Sequence, residues 1–259
     1  MHILSLAADV ILALYVIWQV VRFMPEYRQL KADVAKGDTQ ARMRVYRKAI
    51  VFEWVSALLA LVGLGFDWSK LNPQSLDLSG TSLAQLVVRT HDFDGGILTG
   101  VFFGVAIGTI AIFVARKRAN QRGATAARNE RGAWLRKLIP DFSALIPSTS
   151  RERLVWLFVA ISAGICEEIV FRGWLLSVLH NPVGLAGTAL VAAAAVSFGL
   201  AHAYQGITGM ILTAFAGALF CALYLATGSL LVPIVLHVVI DARFALMPGA
   251  APKPSEAIA

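Results

Sequence analysis

The chain has 259 residues, 58% of them hydrophobic and only 15% charged, with a mean hydropathy of +0.69. A soluble domain is nearer half apolar and a quarter charged, so a water-soluble globular protein is excluded and a membrane protein is expected. The 23 Lys and Arg against 16 Asp and Glu give a net charge of +7. Because these bases sit in the segments between apolar runs, the lipid surface rather than nucleic acid is the expected partner.

A membrane-spanning helix needs about 20 predominantly apolar residues. Seven segments meet that pattern, at roughly 3–23, 49–66, 97–115, 153–179, 185–203, 207–227 and 230–247, which predicts an all-α polytopic bundle of about seven spans. No positive charge precedes the first run and no small-residue cleavage site closes it, so it reads as a retained span rather than a secretory signal. Between the first two spans, Arg22 to Lys48 holds eight Lys and Arg, and Arg116 to Arg153 holds ten more. The segment 67–96 has only Lys70 and Arg89 beside Asp67, Asp77, Asp92 and Asp94. This bias predicts cytoplasmic basic loops, an outer N-terminus and an inner C-terminus. Gly100, Gly104 and Gly108 lie four apart on one face of the third span, a packing feature in lipid. The stretch Trp134 to Ile139 suits a short interfacial helix or a solvated linker. The division expected is 1–150 as an N-terminal membrane region of three spans, 151–247 as a four-span core, and 248–259, with three prolines, as a disordered tail.

Carboxylates and histidines inside spans cost free energy to insert and are functional candidates by default. The last four spans hold a set of them. Glu167, Glu168 and Arg172 lie mid-helix, His202 ends the fifth span, and His237 and Asp241 lie in the seventh. At about 100° per residue, Glu168 and Arg172 stack on one face with the acid N-terminal, the favourable order for an ion pair. Glu167, turned about 100° away, is the carboxylate left free for a polar cavity. His237 and Asp241 repeat the four-residue spacing, as do Phe198 and His202, where the ring is expected to brace the imidazole. His2, His91 and His180 fall at boundaries and are read as uninvolved. Cys166 and Cys221, both inside apolar runs, read as buried hydrophobes.

Three motifs in order, Glu-Glu-x-x-x-Arg at 167–172, Phe-x-x-x-His at 198–202 and His-x-x-x-Asp at 237–241, resemble the CPBP membrane proteases, also called the CAAX-protease or Abi family, which includes the Ras-converting CAAX endopeptidase. The Thr227-Gly228-Ser229-Leu230 turn is similar too, and the likeness covers about residues 150–247. It implies hydrolysis of a peptide bond within or beside the membrane, in a hydrophobic or lipidated peptide. By that analogy Glu167 activates water with His202 assisting, His237 and residue 241 stabilise the oxyanion, and Glu168 and Arg172 are structural. Position 241, often Asn in the family, is Asp here, and an ionised Asp accepts hydrogen bonds without donating them. Metal-free chemistry with no cofactor is expected. The alternative is zinc held by Glu167, His202 and His237, since two histidines and a carboxylate also form a zinc set, although no His-Glu-x-x-His helix is present. A proton-coupled transporter or a non-catalytic scaffold are the rival functions. The short loops point to a prokaryotic cytoplasmic membrane.

One geometric expectation conflicts with the rest. For straight, perpendicular helices at about 1.5 Å per residue, Glu167, His202 and His237 would lie about 19, 25 and 10 Å from the outer face. The motifs meet only through tilt, unequal helix lengths or irregular backbone near 203–210.

Overall fold

The computed structural model describes residues 2–72 and 142–247, and every regular element among them is helical. α1 runs His2–Ala35 and α2 Ala41–Gly63. α3 (Ser150–Glu168) passes without a break through a π-helical segment, Ile169–Leu175, into α4 (Leu176–His180). α5 (Gly187–Ala201), α6 (Gly206–Thr227) and α7 (Leu231–Ala242) follow. The expected span at 97–115, its Gly100, Gly104 and Gly108 stripe, the segment 134–139, His91 and the tail 248–259 lie outside the described residues.

Three helical stretches are long and apolar enough to cross a bilayer: Leu6–Ala35, Ser150–His180 and Ala203–Thr227. The expected count of seven is not reached among the described residues, for identifiable reasons. The apolar half of α2 begins only after Arg47 and Lys48 and is interrupted by Glu53. α5 has 15 residues and α7 has 12, about 22 and 18 Å of helix against a hydrocarbon core of about 30 Å. Along the outside, Leu14, Val21, Phe158 and Phe215 are largely exposed, the apolar surface a protein presents to lipid.

The basic segment 22–48 is not the loop expected from its charge. α1 continues through Arg22, Arg28 and Lys31, and only residues 36–40 turn back into α2. The extension holds because it has its own core. Tyr27 and Leu30 pack with Met43 and Tyr46 of α2 and with Leu145 and Val159 beyond, while the basic side chains other than the buried Arg42 lie on the outer faces. At the turn, the Arg44 guanidinium hydrogen-bonds Asp38 at 2.7 Å and holds its carboxyl below the usual carboxylate range.

α2 and α3 are pinned together at two levels. Arg42 donates to the carbonyl of Ala144 and Tyr46 to that of Leu145, beside a capping box in which Thr149 accepts from the Glu152 backbone. Further along, Trp54 Nε1 donates to Ser162 Oγ at 3.0 Å. α1 is tied to the π-helical segment by Trp174 Nε1 donating to Asp9 at 2.6 Å. Close approach relies on small residues. A Cβ at Gly164 would strike Val238 of α7, and one at Gly199 would lie 2.6 Å from the carbonyl oxygen of Met210 in α6. Gly228 closes α6 with φ of 68°, a left-handed position that favours glycine, and its N–H returns to the Tyr224 carbonyl.

Candidate functional site

The three sequence motifs converge although their helices differ in length. α3, the π-helical segment and α4 together run 31 residues, whereas α5 stops after 15 at His202 and α7 begins only six residues before His237. A 3₁₀ turn at Ala203–Gln205 and Gly206, with φ of 79°, give the irregular backbone that brings the chain from α5 into α6. The conflict between the expected depths is therefore resolved by unequal lengths and this turn.

Glu168 and Arg172 form the expected ion pair, 3.0 Å between Oε1 and Nη1, with side chains 0% and 1% exposed. Arg172 also donates to the Gly217 carbonyl at 3.2 Å and lies over the rings of Phe198 and Phe220, at 4.4 and 5.1 Å. Such a dry site is tolerable for a guanidinium because both terminal nitrogens are hydrogen-bonded and aromatic rings lie against it, while Nε alone has no hydrogen-bond partner. The same Glu168 Oε1 is 2.9 Å from His237 Nδ1. A carboxylate oxygen accepts, so Nδ1 carries the hydrogen and Nε2 is turned toward the remaining acids. Nε2 lies 3.7 Å from Asp241 Oδ2 and 3.9 Å from Glu167 Oε2. Glu168 thus touches the site directly, whereas the sequence reading confined it to pairing with Arg172.

Glu167 is turned away from Arg172, as the helical wheel requires. Its side chain is 16% exposed, and its buried Oε2 has no hydrogen-bond partner. A cavity of about 650 Å³ opens beside it, walled by Glu53, Glu167, His202 and Asp241 at one part and by Arg22, Glu26, Arg47 and Lys48 at another. His237 is buried against Glu167 and Asp241 rather than lining that space.

His202 Nδ1 donates to the Phe198 carbonyl at 2.8 Å, which fixes its tautomer and leaves Nε2 for the cavity. The Phe198 ring packs on both imidazoles, 4.8 Å from His202 and 6.0 Å from His237. His202 is also within electrostatic range of Asp241, whose backbone carbonyl accepts from Trp156 Nε1 at 2.9 Å. Among the described residues, no three His, Cys, Asp or Glu side chains are arranged to hold a metal ion. His180, bonded to the Leu185 carbonyl, stands apart from the cluster, and Cys166 and Cys221 are buried thiols.

Two features escaped the sequence reading. Glu53 of α2 is buried, lies within hydrogen-bond reach of the Glu167 carboxyl, and lies within electrostatic range of Asp241. Its signal was present, since an acid inside the apolar run 49–66 is a candidate by the same rule that selected Glu167. Asp9, in the first span, is of the same kind but serves packing through Trp174.

Helices of this length and apolarity, with carboxylates and imidazoles gathered at a buried cavity, define an integral membrane protein whose polar site is built between its helices. Residues 149–243 match the model of the family described as type II CAAX prenyl endopeptidase Rce1-like, so that part of the chain is similar to the CAAX membrane proteases. No curated protein and no solved structure matches the chain.

Proposed function

We propose that the chain is an intramembrane endopeptidase in which Glu167 activates the hydrolytic water. The observation that supports it is the placing of an unpartnered Glu167 oxygen at the wall of a cavity it shares with His202 and Asp241. Water held between Glu167 and His202 attacks the scissile carbonyl carbon while its proton passes to Glu167. The carbonyl π electrons move to oxygen, and the resulting oxyanion takes a hydrogen bond from Asp241 in its acid form, with His237 Nε2 buried behind that carboxyl at 3.7 Å. Collapse breaks the C–N bond, and the proton on Glu167 goes to the leaving amine. Glu168, by holding His237 Nδ1, keeps the Nε2 edge turned to Glu167 and Asp241. No metal or cofactor takes part.

The substrate is a hydrophobic or lipidated peptide, by analogy with the matched family's description, and it enters from a membrane the chain itself spans. The basic helix faces at Arg22 to Lys48 lie toward the cytoplasm of a prokaryotic cell, a reading supported by their excess of Lys and Arg. The test is cleavage by purified protein in liposomes of an internally quenched peptide ending in a prenylated CAAX sequence. Cleavage abolished in Glu167→Gln and His202→Ala supports the assignment. Undiminished cleavage in Glu167→Gln refutes it.

A further inference from the structure

The family match begins at residue 149, yet the cavity wall next to Glu167 is completed from α2, by Glu53. Its backbone position is set by hydrogen bonds on the same helix pair. Trp54 to Ser162 locks α2 against α3 one residue from Glu53 and five before Glu167. Ser56 donates to the Phe52 carbonyl on the helix itself, and so leaves the acid free. The charged groups facing Glu53 are the carboxyls of Glu167 and Asp241, with no cation paired to it among the described residues. A buried acid without a cation is costly as packing alone. Two carboxyls within hydrogen-bond reach can bond only through a proton held between them, since an ionised carboxylate is acceptor-only.

We propose that Glu53 is a positioning residue for Glu167. A hydrogen bond from the Glu53 carboxyl aims the Glu167 oxygen into the cavity, so that the base of the reaction is oriented from the N-terminal half of the chain. This rests on the reading of Glu167 as the base. Glu53 acts through Glu167 rather than on the scissile bond. Its one requirement is a donor at the right distance from Glu167, which distinguishes it from an acid that shuttles protons and from one that merely fills space.

Three substitutions separate these roles in the liposome assay, each read as kcat, KM and melting temperature of the full chain. Glu53→Gln keeps a donor at the same reach and is expected to retain kcat. Glu53→Met fills the space without a donor, and Glu53→Asp keeps an acid but withdraws it by one methylene. Both are expected to lose kcat, by up to about 100-fold, the scale set by an ångström of misplacement, with KM unchanged. The melting temperature of Glu53→Met is expected at or above that of the native chain. With Glu167→Gln inactive, an unaltered kcat in Glu53→Met overturns the proposal, as does an inactive Glu53→Gln of native stability, or a loss of kcat that only follows melting temperature across the three. If Glu167→Gln is itself active, the reading of the base falls first and this inference with it.

Discussion

Glu167 and Glu168 are adjacent acids with opposite structural demands, and neutralising each in turn tests the whole assignment. In Glu168→Gln the guanidinium of Arg172, 1% exposed, loses the anion 3.0 Å away and keeps only the Gly217 carbonyl and the aromatic faces. Breaking a buried pair by removing one partner costs about 3–5 kcal/mol. At about 2–4 °C per kcal/mol for a chain of this size, the melting temperature should fall by about 6–20 °C. Glu167→Gln removes a charge whose Oε2 has no hydrogen-bond partner, so its change should stay within about 1 kcal/mol. Cys166 and Cys221, both buried, allow a direct assay: a thiol-reactive fluorophore that reports when the bundle opens in detergent on heating. A further variant in which Arg172→Met accompanies Glu168→Gln should recover much of the loss, because the stranded charge is gone. Equal melting temperatures for Glu167→Gln and Glu168→Gln, or no recovery in the double variant, would refute the division between a free acid and a paired one.

Other outcomes follow from the same geometry. Activity is expected to survive exhaustive chelation, with far less than one equivalent of zinc in the purified protein, and loss of activity together with stoichiometric zinc would reverse the metal-free reading. Asp241 can donate to an oxyanion only while protonated, so its contribution disappears as pH rises, whereas an amide donates throughout. Asp241→Asn should therefore keep its activity and extend it to higher pH, and an inactive Asn variant with native stability contradicts the donor role. Gly164→Ala should cost about 1–3 kcal/mol and lower kcat, because the new methyl meets Val238 and its backbone nitrogen, at 3.0 Å, and forces α7 with His237 away from Glu168. A native melting curve for Gly164→Ala would show that this contact is looser than the structure has it.

Much of the site could be read from the sequence because its information is local. The Glu168–Arg172 pair, the turning of Glu167 away from it, the Phe198–His202 ring contact and the alignment of His237 with Asp241 all follow from four-residue spacing on a single helix, where about 100° per residue settles which side chains are neighbours. Composition and apolar runs likewise determined that the chain is helical and lies in a membrane. Contacts between helices carry no such period. That Glu168 Oε1 serves Arg172 and His237 together, across 69 residues of sequence, depends on the approach of α3 to α7 that Gly164 permits. That Glu53 belongs to the site depends on the Trp54–Ser162 bond setting the register of α2 against α3. Charge pattern misread 22–48 as a loop, because positive charge marks which segments leave the hydrocarbon and does not report whether their backbone stays helical. There the buried Tyr27, Leu30, Met43 and Tyr46 decided the outcome, since apolar contacts that form only when two helices pack can hold a helical hairpin whose outer surface is basic.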